Sequence, residues 1–177
     1  MAKVLVASAI ALLLALPATG ALGPPAGVAA TLQPSTAEQP VLALSEAGVN
    51  IFECKPRLGA TGDYAWSFVA PDATLYDGVR SVARHTTPNL WESTDDRSSV
   101  AGFPRAAQNA GGDNLPWALY LGRSAGVDGM FAGVTSIQRV NTRGGVAPLT
   151  GCTADNAGAE QRVAFSADYY FYRPSGR

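Results

Sequence analysis

The chain has 177 residues, with 13 basic and 14 acidic side chains and a formal net charge of −1. This length suits one domain, and the near-neutral charge without a basic run excludes nucleic acid or an anionic membrane surface as the main partner. A single histidine excludes a metal site built from several imidazoles. The sequence contains neither a phosphate-binding loop nor a dinucleotide-binding fingerprint, so it implies no cofactor.

The first residues follow the order of a secretory signal peptide. Lys3 precedes an apolar run over residues 4–16, and small residues follow that run. The run is shorter than the roughly 20 apolar residues that a membrane helix needs. We therefore predict a signal peptide over 1–30, a secreted protein in the periplasm or the medium, and no transmembrane segment in the mature protein. Cleavage after Ala21 or after Ala30 fits the pattern, and the sequence slightly favours Ala30.

Residues 31–47 are rich in Pro, Ser, Thr and Gln, which predicts a flexible mature N-terminus with at most a weak helix over 36–47. Residues 48–177 instead show short β-branched and aromatic runs separated by Gly, Pro, Asp and Asn. This texture predicts a single antiparallel all-β domain, sandwich or barrel-like. The predicted strands are 49–54, 64–69, a short one over 73–78 that runs into a turn, 79–85, 115–121, 130–142 and 162–172.

The last predicted strand carries aromatic residues on both faces. Tyr169 and Phe171 alternate with Tyr170 and Tyr172, and successive side chains of a strand point to opposite sides. One face is therefore expected to meet the core and the other a second layer or a groove.

His85 is the candidate for acid–base chemistry, because an imidazole titrates near neutral pH. Glu92 or Asp95 is expected to orient or charge it, and Trp91 to supply an apolar or stacking wall. The alternative is a hydrogen-bonded structural histidine at the end of a strand. The segment "GRSAG" matches the nucleophile elbow of α/β-hydrolases at Ser124, but no helical pattern follows it, so a Gly-rich loop is the better interpretation.

Aromatic side chains offer a binding surface instead of an active site. We expect Trp66 and Trp117 in the core, which leaves Trp91 as the exposed tryptophan. With His85, Tyr170 and Tyr172 it would form a contact patch for a glycan, an envelope component or a protein partner.

Cys54 and Cys152 are the only cysteines, and export would place them where a pair usually forms a disulfide. Two separate buried thiols are the alternative.

Four blocks of the sequence are similar to one known family: "GVNIFECK", "LPWALYL", "MFAGVTSIQRVNTRGGVAPLTGC" and "ADYYFY". They resemble a family of secreted bacterial and fungal proteins known as domain of unknown function 3455, from about Gly48 to Tyr172. The resemblance implies the pairing of Cys54 with Cys152. It also implies a Gly-Pro turn after the histidine, where this chain has Pro88 and Asn89.

The resemblance implies no specific activity, and three functional hypotheses remain. The first is a non-catalytic secreted β module that binds a glycan, an envelope component or a protein. The second is a small secreted hydrolase that uses His85 with Glu92 or Asp95. The third is a structural envelope protein.

Overall fold

A computed structural model describes residues 23, 26–59, 62–126 and 128–176. Over these residues the chain forms one antiparallel sheet of eight strands that closes into a barrel, in which each strand pairs with the next and the last pairs with the first. The predicted all-β, antiparallel, barrel-like fold is thereby confirmed. The strands are β1 (Glu38–Pro56), β2 (Tyr64–Asp77), β3 (Arg80–Thr87), β4 (Leu90–Ser93), β5 (Ser99–Gln108), β6 (Trp117–Ser124), β7 (Ser136–Gly144) and β8 (Glu160–Pro174).

The first strand begins earlier than the sequence indicated. The predicted weak helix over 36–47 is wrong, and most of the segment expected to be flexible belongs to β1. The physical reason is tertiary: β1 pairs with β2 on one side and with β8 on the other, so that Leu44 lies opposite Tyr169. The predicted signal peptide over 1–30 lies mostly outside the described residues and stays a prediction.

One end of the barrel interior is filled by aromatic and branched side chains. Trp91, Phe171 and Val82 are fully buried there, and Phe131 and Val134 join them from the segment between β6 and β7. Asp96 holds this segment in place, because its carboxylate accepts the backbone N–H of Met130 at 2.7 Å. This end is therefore closed.

The N-terminal segment forms a second layer outside the barrel. Val28 and Leu32, the latter in a short 3₁₀ helix over Ala30–Leu32, pack on Leu119 and Val140. Tyr170 packs against this outer cluster. The two-sided burial expected from the alternating aromatics of the last strand is thus present.

The disulfide between Cys54 and Cys152 is confirmed. It ties β1 to the segment over 145–152, which we call the rim segment because it borders the open end of the barrel. Two hydrogen bonds fix the same segment: the indole N–H of Trp66 donates to the carbonyl of Thr150 at 2.9 Å, and the amide of Asn50 donates to the carbonyl of Gly145 at 2.9 Å. The disulfide and the two hydrogen bonds therefore fix the rim segment to β1 and β2.

Candidate functional site

The open end of the barrel leads into a cavity of about 420 Å³, within the size range of small-molecule sites. Its wall is mostly apolar, and its polar groups are few. The apolar lining consists of Phe52, Phe68, Pro71, Pro88, Leu115, Pro116, Val146, Ala147 and Phe165, and the polar lining includes Asn50, His85, Tyr120, Arg139 and Tyr169.

A buried hydrogen-bonded pair lies at the floor of the cavity. Glu46 on β1 is 1% exposed, His85 on β3 is 6% exposed, and Nδ1 of the imidazole lies 2.7 Å from Oε1 of the carboxylate. An ionised carboxylate can only accept, so Nδ1 carries a proton, and in the neutral tautomer of the ring Nε2 is then an acceptor. Nε2 has no hydrogen-bond partner among the described residues. His85 is therefore oriented by Glu46 and keeps one nitrogen free for chemistry or binding.

Trp91 supports the imidazole from the closed end. The two rings lie 4.8 Å apart between centroids, at 32°, so the stacking wall expected from the sequence is present. The expected exposure is wrong, because Trp91 is 0% exposed while Trp66 and Trp117 are only partly buried. Residues of β4 alternate, and Trp91 points inward beside exposed Glu92.

Two phenols and one guanidinium complete the polar floor. Burial raises the pKa of Tyr169 well above its ordinary value, and the nearby Glu46 carboxylate adds to this while Arg139 opposes it. Burial likewise raises the pKa of Tyr120. Both phenols therefore keep their protons near neutral pH and act as donors. Arg139 donates to the carbonyl of Pro116 from Nε at 3.1 Å and from Nη2 at 2.9 Å.

The residues expected to assist His85 lie elsewhere. Glu92 is exposed on the outer side of β4, and Asp95 is exposed and pairs with Arg80 at 3.0 Å. The orienting carboxylate is Glu46, 39 positions before the histidine. The catalytic roles proposed for Glu92 and Asp95 from the sequence stay predictions, but neither residue lines the cavity of His85.

Tyr170 and Tyr172 face away from the barrel interior. Tyr170 belongs to the outer cluster under the N-terminal segment, and the hydroxyl of Tyr172 donates to the side-chain carbonyl of Gln138 at 3.2 Å. Their binding role stays a prediction, yet they share no surface with Trp91, which is inside. Sequence reasoning missed Tyr169 and Arg139, although the alternation in β8 already placed Tyr169 on the face opposite Tyr170.

The turn that departs from the family pattern connects β3 to β4. Asn89 adopts a left-handed conformation with φ of 55°, which asparagine tolerates better than most residues do. Its carbonyl accepts the N–H of Gly102 at 2.7 Å. This turn and Pro88 border the cavity, so the altered residues still form part of its wall.

Ser124 is not a nucleophile elbow. Its hydroxyl donates to the carbonyl of Phe131 at 2.9 Å and lies 3.3 Å from that of Val134, and the residues described between β6 and β7 form no helix. It ties the β6–β7 segment to the barrel, as the loop interpretation predicted.

Within the described ranges, no group of three or more His, Cys, Asp or Glu side chains is arranged to hold a metal ion. In the same part of the chain, none of the helices has the length and apolar character needed to cross a bilayer.

Fold and site together define a single-domain antiparallel barrel with a mostly apolar cavity above a polar floor. The chain belongs to the family described as Protein of unknown function (DUF3455), whose model matches residues 34–173. This match confirms the resemblance carried by the four sequence blocks. No curated protein and no solved structure matches the chain.

Proposed function

We propose that this domain binds a small, mainly apolar molecule inside its barrel. The observation that carries the proposal is the cavity itself, in which an apolar wall surrounds a few convergent polar groups on a rigid floor. An eight-stranded barrel has an interior wide enough for packed side chains or one small ligand. Here side chains fill one end, and the other end is open.

The interior site replaces the exterior patch that the sequence suggested for a glycan, an envelope component or a protein partner. An aromatic platform around Trp91 requires that its ring be accessible, and the ring is fully buried. Binding as the leading function is retained, and the site moves inside the barrel. Export is part of the proposal, because the Cys54–Cys152 disulfide suits an oxidising compartment.

Titration of the purified domain with 2-methylnaphthalene, followed by isothermal calorimetry and by thermal unfolding, tests the proposal. We expect saturable one-to-one binding and a higher melting temperature. Ala147→Trp, which puts an indole at the mouth of the cavity, should abolish binding. Ala107→Trp is the matched control, because Ala107 is exposed and does not line the cavity. No binding to the unaltered protein, or equal binding by the two variants, would contradict the interior site.

A hydrolytic activity is the second candidate, and the His85–Glu46 pair favours it. No Ser, Thr or Cys is among the described residues lining the cavity, so the reaction would use water activated by Nε2 of His85, with Glu46 holding the imidazole. Hydrolysis of p-nitrophenyl acetate should then fall at least tenfold in His85→Gln and stay unchanged in Glu92→Gln. Unchanged hydrolysis in His85→Gln would exclude this candidate.

A further inference from the structure

The floor of the cavity holds two buried polar atoms without protein partners. Nε2 of His85 and the hydroxyl oxygen of Tyr169 are both shielded from solvent, and neither meets the geometry of a hydrogen bond with a described residue, although the Arg139 guanidinium approaches the Tyr169 hydroxyl closely enough to oppose the rise of its pKa. Buried polar atoms are normally paired, and leaving one unpaired is unfavourable. Both side chains line the cavity, so a bound molecule would pair the two atoms once a small side-chain shift opens them to it.

The two atoms need different hydrogen-bond partners. Glu46 accepts from Nδ1 of His85, which in the neutral tautomer leaves Nε2 in need of a donor. Burial, reinforced by the Glu46 carboxylate, raises the pKa of Tyr169, so its hydroxyl stays protonated and needs an acceptor. The floor therefore presents one acceptor and one donor on two neighbouring rings, whose centroids lie 6.5 Å apart with nearly perpendicular planes.

We propose that the ligand carries a hydroxyl group, which donates to Nε2 of His85 and accepts from the hydroxyl of Tyr169. This inference rests on the proposed function and names the class of ligand: an alcohol or phenol with an apolar body. A hydroxyl is both donor and acceptor, and it matches the floor with one atom. A ketone would satisfy only Tyr169, and a carboxylate would bring acceptors to a nitrogen that is itself an acceptor.

The surroundings hold this donor and acceptor pair rigidly. Trp91 packs on both rings, with centroids 4.8 Å from His85 and 5.2 Å from Tyr169. Arg139 is the nearby cation and would favour an anion, and the carbonyl of Pro116 takes two of its five N–H donors. The choice between a neutral hydroxyl and an anionic group is therefore the decisive comparison.

Three probes of similar shape make that comparison by isothermal calorimetry at neutral pH: 2-naphthol, 2-methylnaphthalene and 2-naphthoate. We expect 2-naphthol to bind roughly tenfold or more tightly than 2-methylnaphthalene, as two net hydrogen bonds would give. Equal affinities would overturn the hydroxyl inference and leave the binding function standing. Tightest binding by 2-naphthoate would also overturn it, because the recognised group would be an anion. If none of the three binds, the proposed function itself fails.

Two tyrosine variants test whether the hydroxyl of Tyr169 donates to the ligand. Tyr169→Phe should reduce the preference for 2-naphthol over 2-methylnaphthalene to a few-fold, whereas Tyr76→Phe removes a half-buried phenol that does not line the cavity and should leave the preference unchanged. Circular dichroism of both variants reports whether they are folded. If the two variants behave alike, Tyr169 is not the donor and the inference is wrong.

The single histidine supplies a readout that needs no variant. The ¹⁵N resonance of its Nε2 is unambiguous, and it should move on addition of 2-naphthol and stay in place with 2-methylnaphthalene. A resonance that does not move when 2-naphthol binds would exclude His85 as the acceptor.

Discussion

Replacing Trp91 with alanine tests how the barrel interior is packed. The indole is fully buried, and its ring centroid lies 5.2 Å from that of Tyr169 and 5.7 Å from that of Tyr120. A Cβ added to Gly102 would come within 2.7 Å of it. The neighbouring strand therefore fits closely around the indole, and a truncated side chain would leave a cavity.

The expected loss follows from the buried area. An indole removes roughly 200 Å² from water, which at about 25 cal/mol per Å² is about 5 kcal/mol. The indole N–H of Trp91 has no acceptor among the described residues, and this offsets about 1 to 2 kcal/mol. We expect Trp91→Ala to lower the free energy of unfolding by about 3 to 4 kcal/mol, within the usual range for such truncations.

Urea unfolding followed by circular dichroism measures this loss. With a slope of about 2 kcal/mol per M, the midpoint should fall by roughly 2 M. Leu149→Ala is the control, because Leu149 is 97% exposed; its truncation should change the free energy of unfolding by less than about 0.5 kcal/mol. Equal urea midpoints for the two variants would contradict the burial of Trp91 and would indicate that its side chain is exposed.

Three further predictions concern the parts that hold the barrel together. The hydroxyl and N–H of Ser98 and the N–H of Met130 lower the pKa of Asp96 from its ordinary 3.8. The charge therefore stabilises the fold fully above about pH 4, and this contribution is lost only as the pH falls to the lowered pKa. Asp96→Asn should lower the urea midpoint at pH 7, and the difference should begin to shrink below about pH 4 and still be measurable at pH 3. Replacing Cys54 and Cys152 together with serine should cost about 4 to 5 kcal/mol by urea unfolding, since the bond closes a loop of nearly a hundred residues, and an unchanged midpoint would contradict this. Val28 packs in the outer cluster, so mass spectrometry of exported protein should find cleavage after Ala21, and cleavage at the site favoured by the sequence would show that this contact is dispensable.

Much of the fold could be predicted because alternation is a local signal. In β8, Tyr169 and Phe171 point inward while Tyr170 and Tyr172 point outward, as the sequence pattern requires. Closure could not be predicted, because it depends on β1 pairing with a strand more than a hundred residues later. The early part of β1 was missed because its inward position 46 is a glutamate, which interrupts the apolar alternation that marks a strand.

The site was only partly predictable, because strand pairing brings together residues that are distant in the sequence. His85 was found because it is the sole histidine, but its partner was sought among the carboxylates that follow it closely in sequence. Pairing of β1 with β2 and of β2 with β3 instead brings Glu46 to the histidine. For Trp91 a local signal existed: Trp91 and Ser93 are buried and alternate with exposed Glu92, a pattern that four residues are too few to reveal.

The position of the Glu46–His85 pair helps to explain why a buried polar pair is present in the barrel. A buried ionisable pair contributes little net stability, because desolvation offsets most of its attraction, and apolar residues of similar volume often serve the fold as well or better. Aromatic packing around Trp91 already fills the closed end. The pair lies where that packing stops and the cavity begins, and its free nitrogen is on a residue that lines the cavity. Stability alone gives no reason for a polar group at this boundary, whereas recognition of a ligand's polar end does.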